Sequence, residues 1–89
     1  MKHINLTVFG RVQGVGFRNA AKRQARLMGI NGFVRNNYDG SVYIEAEGSD
    51  VDIKEYVKWC WEGPTFAEVD KVEIIEGPIK NLGSFETAF

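Results

Sequence analysis

HINLTVFGRVQGVGFRNAAKRQARLMG, residues 3–29, changes its periodicity twice, and those changes decide the fold. From His3 to Phe9 polar and apolar residues alternate. Ile4, Leu6 and Val8 share one face and His3, Asn5, Thr7 and Phe9 the other, which is the period of a half-buried strand. Gly10 to Arg18, GRVQGVGFR, is too rich in glycine to extend that strand and predicts a loop. Phe17, Ala21, Ala25 and Met28 then recur at helical spacing, with Leu27 broadening the stripe, so Arg18 to Met28 reads as a helix with Gly29 at its C-cap. A strand feeding a helix through such a loop leaves backbone N–H groups at the helix start with Arg18 beside them, a place suited to holding a small anion.

Outward from this unit the remaining elements follow. GFVRNNYDGSVYIEAEG, residues 32–48, reads as two strands joined by a Tyr38-Asp39-Gly40 turn, with Val42, Ile44 and Ala46 facing one way and Tyr43, Glu45 and Glu47 the other. Ser49 or Asp50 caps a second helix whose buried stripe is predicted to be Ile53, Val57, Cys60 and Trp61, with Trp59 opposite; Gly63-Pro64 stops it. A strand near Val69–Glu76 is expected to place Val72 and Ile74 in the core, and Phe85, Thr87 and Phe89 are expected to share the face of a short last strand. The order β-α-β-β-α-β predicts an α+β, ferredoxin-like sandwich: a four-stranded antiparallel sheet with two helices on one face.

Composition narrows the function. Eighty-nine residues are expected to form one domain, residues 1–89. Eleven basic against twelve acidic residues leave a net charge of −1, so any anion site must be local. One cysteine, Cys60, excludes an internal disulfide, and one histidine, His3, excludes a histidine zinc cluster. No long apolar run suggests a signal peptide or a membrane span, and cytoplasmic residence is the expectation. The loop itself matches neither the dinucleotide fingerprint, because Gly10, Gly14 and Gly16 are wrongly spaced, nor Walker A, because no Gly-Lys-Ser/Thr follows.

GRVQGVGFR at Gly10–Arg18 together with GFVRNNYDGSV at Gly32–Val42 resembles the acylphosphatase family, and the chain matches that family in length and element order. The resemblance implies hydrolysis of the mixed anhydride of carboxyl phosphates without metal or cofactor. It places the family's phosphate-holding arginine on Arg18 and its water-positioning asparagine on Asn36, with Gln13, Gly14, Val15, Gly16 and Phe17 forming the phosphate-binding loop. The chemistry of these residue types agrees. A planar guanidinium donates two parallel hydrogen bonds to phosphoryl oxygens, and an asparagine amide holds water without adding a charge that repels the substrate. The partners implied are a small acyl phosphate and inorganic phosphate, with the chain acting as a monomer.

The sequence also departs from the family pattern. Phe33 stands where tryptophan is commonest, Asn37 and Ala21 stand where threonines are frequent, Gly16 replaces a bulkier residue, and Phe89 stands for a terminal tyrosine. The two lost hydroxyls predict a lower rate and Gly16 a looser cradle. Other residues have plainer explanations: Arg11 and Arg35 as solvated cations, His3 too far along its strand to be a base, Cys60 as a small hydrophobe, Asp39 and Gly40 as turn residues. Two other functions compete. One is a phosphate-binding or protein-interaction domain with little turnover, separated by assay. The other is a nucleic-acid module stacking bases on Phe9 and Tyr43, opposed by Glu45 and Glu47 on the same face.

Overall fold

A computed structural model describes residues 1–88 of the chain. β1 (Lys2–Arg11) runs two residues beyond its predicted end. Its register on β4 slips between Phe9 and Gly10, a bulge that carries the strand through Gly10 and Arg11 to partners Val69 and Glu68. Glycine is required there, since a β-carbon at Gly10 would lie 2.1 Å from the Glu68 carbonyl oxygen. α1 (Phe17–Leu27), β2 (Asn31–Asn36), β3 (Val42–Gly48), α2 (Asp50–Glu62) and β4 (Glu68–Gly77) follow, then a two-residue β5 (Glu86–Thr87).

Strands lie in the order β4-β1-β3-β2-β5. The first four are antiparallel and form the expected ferredoxin-like sheet. β5 is a difference from expectation: it adds a fifth strand, parallel to β2, pairing Phe33 with Glu86 and Val34 with Thr87. The face expected for Phe85, Thr87 and Phe89 is realised at Phe85, which is buried; Phe89 lies outside the described residues.

The core is the inner sheet face, Ile4, Leu6, Val8, Val34, Val42, Ile44 and Ala46, covered by Phe17, Ala21 and Ala25 of α1 and Ile53, Tyr56 and Cys60 of α2. Ser49 caps α2 as predicted, its hydroxyl accepting from the Asp52 N–H at 3.1 Å. Three expected core residues are outside. Leu27 is 77 % exposed because it sits two positions past Ala25, about 200° around the helix. Trp61 is 48 % exposed, since the stripe centres on Ile53, Tyr56 and Cys60; Trp59, expected opposite, is the tryptophan that packs inward. Ile74 is 45 % exposed on β4, an edge strand paired on one side only.

The helix-free face is not open along its whole length. Between β4 at one edge and β5 at the other the chain must cross the sheet, and Gly77–Gly83 does so over β1 and β3. Glu47 captures it, accepting from the Lys80 N–H at 2.5 Å and the Leu82 N–H at 2.7 Å. His3 Nδ1 lies 2.8 Å from the same carboxylate, and Lys80 Nζ 3.1 Å from Glu45. His3, Glu45 and Glu47 are all buried, where the alternation alone predicted an exposed polar face.

Candidate active site

The loop between β1 and α1 turns at Gly14 (φ 72°) and Gly16 (φ 81°), both left-handed. Gly16 is the N-cap of α1 and offers no capping side chain; its carbonyl accepts the first helical bond, from Ala20 N–H at 3.1 Å. The helix therefore opens with unsatisfied donors, and among the described residues the amides of Gln13 to Phe17 have no hydrogen-bond acceptor. Buried Val12 and Phe17 fix the two ends of the loop. Phe17 in turn rests on Trp59, with ring centroids 5.5 Å apart, and Trp59 stacks on Tyr56, whose hydroxyl donates to the Ala21 carbonyl at 2.9 Å. This aromatic support from α2 was not read from the sequence.

Asn36 ends β2 two residues after buried Val34, so the pleat puts its side chain on the helix-covered side, level with the start of α1. A cavity of about 220 Å³ is lined by Gln13, Gly14, Gly16, Phe17, Arg18 and Asn36, with Val12 and Asn19 completing the wall. Sequence-predicted residues from both motifs thus meet in one place. Val15 is the exception: it is absent from the wall, and its side chain packs against the core. Among the described residues no acidic side chain lines the cavity, and Arg18 supplies a positive one.

The decisive feature is at Asn36. Among the described residues its Oδ1 is the one buried side-chain oxygen or nitrogen without a hydrogen-bond partner. Leaving such an atom unpaired costs about 1–3 kcal/mol, so an oxygen placed this way at a cavity wall is able to accept a hydrogen bond from a donor outside the chain.

Gln13 does something its motif position did not reveal. Its Nε2 donates to the Asn37 carbonyl at 2.8 Å and the Ser41 carbonyl at 2.9 Å, tying the loop to the hairpin that carries Asn36. The hairpin is braced internally: Asp39 Oδ1 accepts from the Ser41 N–H (2.9 Å) and hydroxyl (2.5 Å), bonds that lower the Asp39 pKa, hydroxyl first. Asn37 Nδ2 donates to the Ser41 hydroxyl at 2.9 Å, so this position still anchors the turn although it lacks a hydroxyl.

The discounted residues lie elsewhere. His3 is on the opposite face of the sheet, bonded to Glu47. Cys60 is buried among apolar groups, which push its thiol pKa far up and leave it unreactive. Arg35 lies over the Tyr43 ring at 4.6 Å. Among the described residues no group of three His, Cys, Asp or Glu side chains could hold a metal ion, and no helix is long and apolar enough to cross a membrane.

Comparison with known proteins identifies the family. An acylphosphatase family model matches residues 4–87. The chain is 42 % identical over 91 residues to an acylphosphatase of Ligilactobacillus salivarius, covering 100 % of both, and 43 % identical over 82 residues to one from a Nocardioides species, covering 92 % of this chain and 83 % of that one. The crystal structure of acylphosphatase from Bacillus subtilis superposes with a TM-score of 0.97 at 31 % identity, over 100 % of both chains. These likenesses show that the chain belongs to the acylphosphatase family, enzymes that hydrolyse the anhydride bond of acyl phosphates.

Proposed function

We propose that the cradle hydrolyses acyl phosphates by direct attack of water on phosphorus, with Arg18 and Asn36 as the catalytic residues. Arg18 and the amides of Gln13 to Phe17, those of Gly14, Val15 and Gly16 included, hold the non-bridging phosphoryl oxygens, and Asn36 Oδ1 accepts a hydrogen bond from the attacking water. The new P–O bond forms in line with the breaking one, whose electron pair leaves with the carboxylate. The water's proton passes to phosphate or solvent. A carboxylate is stable enough to depart without a general acid, and the positive field comes from Arg18 and the amides without a metal.

The observation that carries this reading is the unpartnered Asn36 Oδ1 at the wall of the cavity that Arg18 also lines. A single turnover of benzoyl phosphate in oxygen-18 water should put the label in inorganic phosphate and none in benzoate. Asn36→Ala should lose most of kcat while inorganic phosphate, as a competitive inhibitor, keeps its affinity within several-fold. Label in benzoate, or a loss confined to KM, would remove Asn36 from this role.

The same reading takes residues 1–89 as one monomeric, cytoplasmic domain that acts on small acyl phosphates and needs no nucleic-acid or membrane partner. A single monomer-mass species in sedimentation across protein concentrations is the matching measurement. The open part of the sheet gives base stacking little support, because Tyr43 is covered by Arg35 and hydrogen-bonded to Glu45, and Lys71 lies over Phe9 at 4.9 Å.

A further inference from the structure

Asn19 lines two hollows. One is the cradle; the other is a groove of about 470 Å³ along the outer side of α1, lined by Asn19, Lys22, Arg23, Arg26 and Leu27. In a chain of net charge −1, α1 carries four cations and no acid. Arg26 is answered, donating to the Phe85 carbonyl at 3.0 Å and to Glu86 at 2.6 Å. Among the described residues Lys22 and Arg23 have no ion-pair partner. Exposed Leu27 adds an apolar contact beside them.

In-line displacement decides which side of phosphorus this groove serves. The attacking water and the departing carboxylate must lie on opposite sides of the phosphoryl group. A third hollow, beside Arg35 and Tyr38, shares both Arg18 and Asn36 with the cradle and so lies on the side of the water. The groove along α1 shares Asn19 and excludes Asn36, which leaves it to the acyl group.

We propose that this groove is the acyl subsite, and that Lys22 and Arg23 select acyl phosphates carrying a second anionic group on the acyl part. The inference rests on the in-line reading above. From Asn19 to Arg23 the helix rises about 6 Å, so the remote anion belongs several bonds from the anhydride, with the carbon skeleton lying against Leu27 and the aliphatic stems.

The test compares benzoyl phosphate with 4-carboxybenzoyl phosphate, which holds a carboxylate rigidly at about that reach. The wild-type enzyme should show a higher kcat/KM for the carboxylated substrate, by on the order of threefold per cation at low salt, and the preference should shrink as salt rises. Lys22→Gln with Arg23→Gln should bring the ratio of the two kcat/KM values towards one. Because both substrates are measured on each variant, a general loss of activity cancels from the ratio. Benzoyl phosphate turned over with label in phosphate, but with no preference for the carboxylate, would overturn the subsite and leave the cradle intact. Label in benzoate would overturn the in-line reading and the subsite with it.

Discussion

Gln13→Glu should damage this enzyme more than Gln13→Ala, although glutamate is the closer match in shape. Among the described residues Gln13 is the side-chain link between the cradle loop and the Asn36 hairpin, and both of its bonds are donated by Nε2 to carbonyl oxygens, at 2.8 and 2.9 Å. Alanine removes two neutral hydrogen bonds of about 0.5–1.5 kcal/mol each. The Ser41 carbonyl keeps its bond from the Asn37 N–H at 2.9 Å, which moderates the loss to about 1–2 kcal/mol. Glutamate leaves the same bonds unmade and aims an acceptor at two acceptors. It also adds a negative charge to a cavity whose described lining has no acidic side chain and which, in the proposed mechanism, takes up an anion. Loosening the loop against the hairpin misplaces the amides relative to Asn36. A fall of roughly tenfold in kcat for alanine and at least 10²-fold for glutamate is expected, since misplacement by about 1 Å can cost 10²-fold. Urea unfolding followed by tryptophan fluorescence, and kcat and KM for benzoyl phosphate, measure the two effects separately. Wild-type stability and rate in Gln13→Glu would show that the bridge positions nothing.

Arg18→Ala should fold and lose at least about 10²-fold in kcat/KM, and Arg18→Lys should recover little of it, because lysine keeps the charge but not the two-pronged donor geometry; a lysine variant near wild-type rate would refute the clamp. On the other face of the sheet, burial pushes the Glu47 carboxyl pKa up, but the Lys80 and Leu82 N–H groups and the His3 ring outweigh it, and the net pKa is lowered. A carboxylate with a depressed folded pKa adds stability above its ordinary value that disappears as pH falls through the folded value, so the urea midpoint should drop as pH falls below the ordinary carboxylate range. Glu45 and Asp39 are lowered as well and act in the same direction. Glu47→Gln should be less stable at neutral pH and show a shallower acid limb; an unchanged limb would mean that Glu47 does not hold the crossing segment.

Local patterns made much of this molecule legible. The inward apolar faces of β1 and β3, the Ser49 cap and the turn at Gly40 each depend on a few neighbouring residues, and each is realised. The motif positions brought Arg18 and Asn36 to one cavity. What was illegible depends on partners distant in sequence. β5 is two residues long and exists because β2 offers it a free edge. The crossing at Gly77–Gly83 is held by a carboxylate more than thirty positions earlier, in a strand whose alternation gave Glu47 to solvent. The choice between Trp59 and Trp61 turns on where the centre of the α2 stripe falls, which is set by Tyr56 reaching the Ala21 carbonyl. Gln13 likewise reads as one more loop residue until its bonds to residues 37 and 41 are seen.

These distant contacts share a purpose at the cradle. Amides and an Asn36 oxygen that find no partner among the described residues are costly by themselves, and a loop free to move would fold inwards to satisfy them. Three supports prevent that: the Phe17–Trp59–Tyr56 stack beneath the helix start, the Gln13 bridge to the hairpin, and the continuous run of β1 into the loop through the bulge at Gly10. Each pins a different part of the site, which in the proposed mechanism keeps the donors directed at the place the phosphoryl group takes. Preorganisation of this kind lets the electrostatic stabilisation act on the transition state without rearrangement at the moment of reaction. Gly14 and Gly16 supply the left-handed turns, and the contacts that hold the loop and the helix start come from α2 and from the turn between β2 and β3.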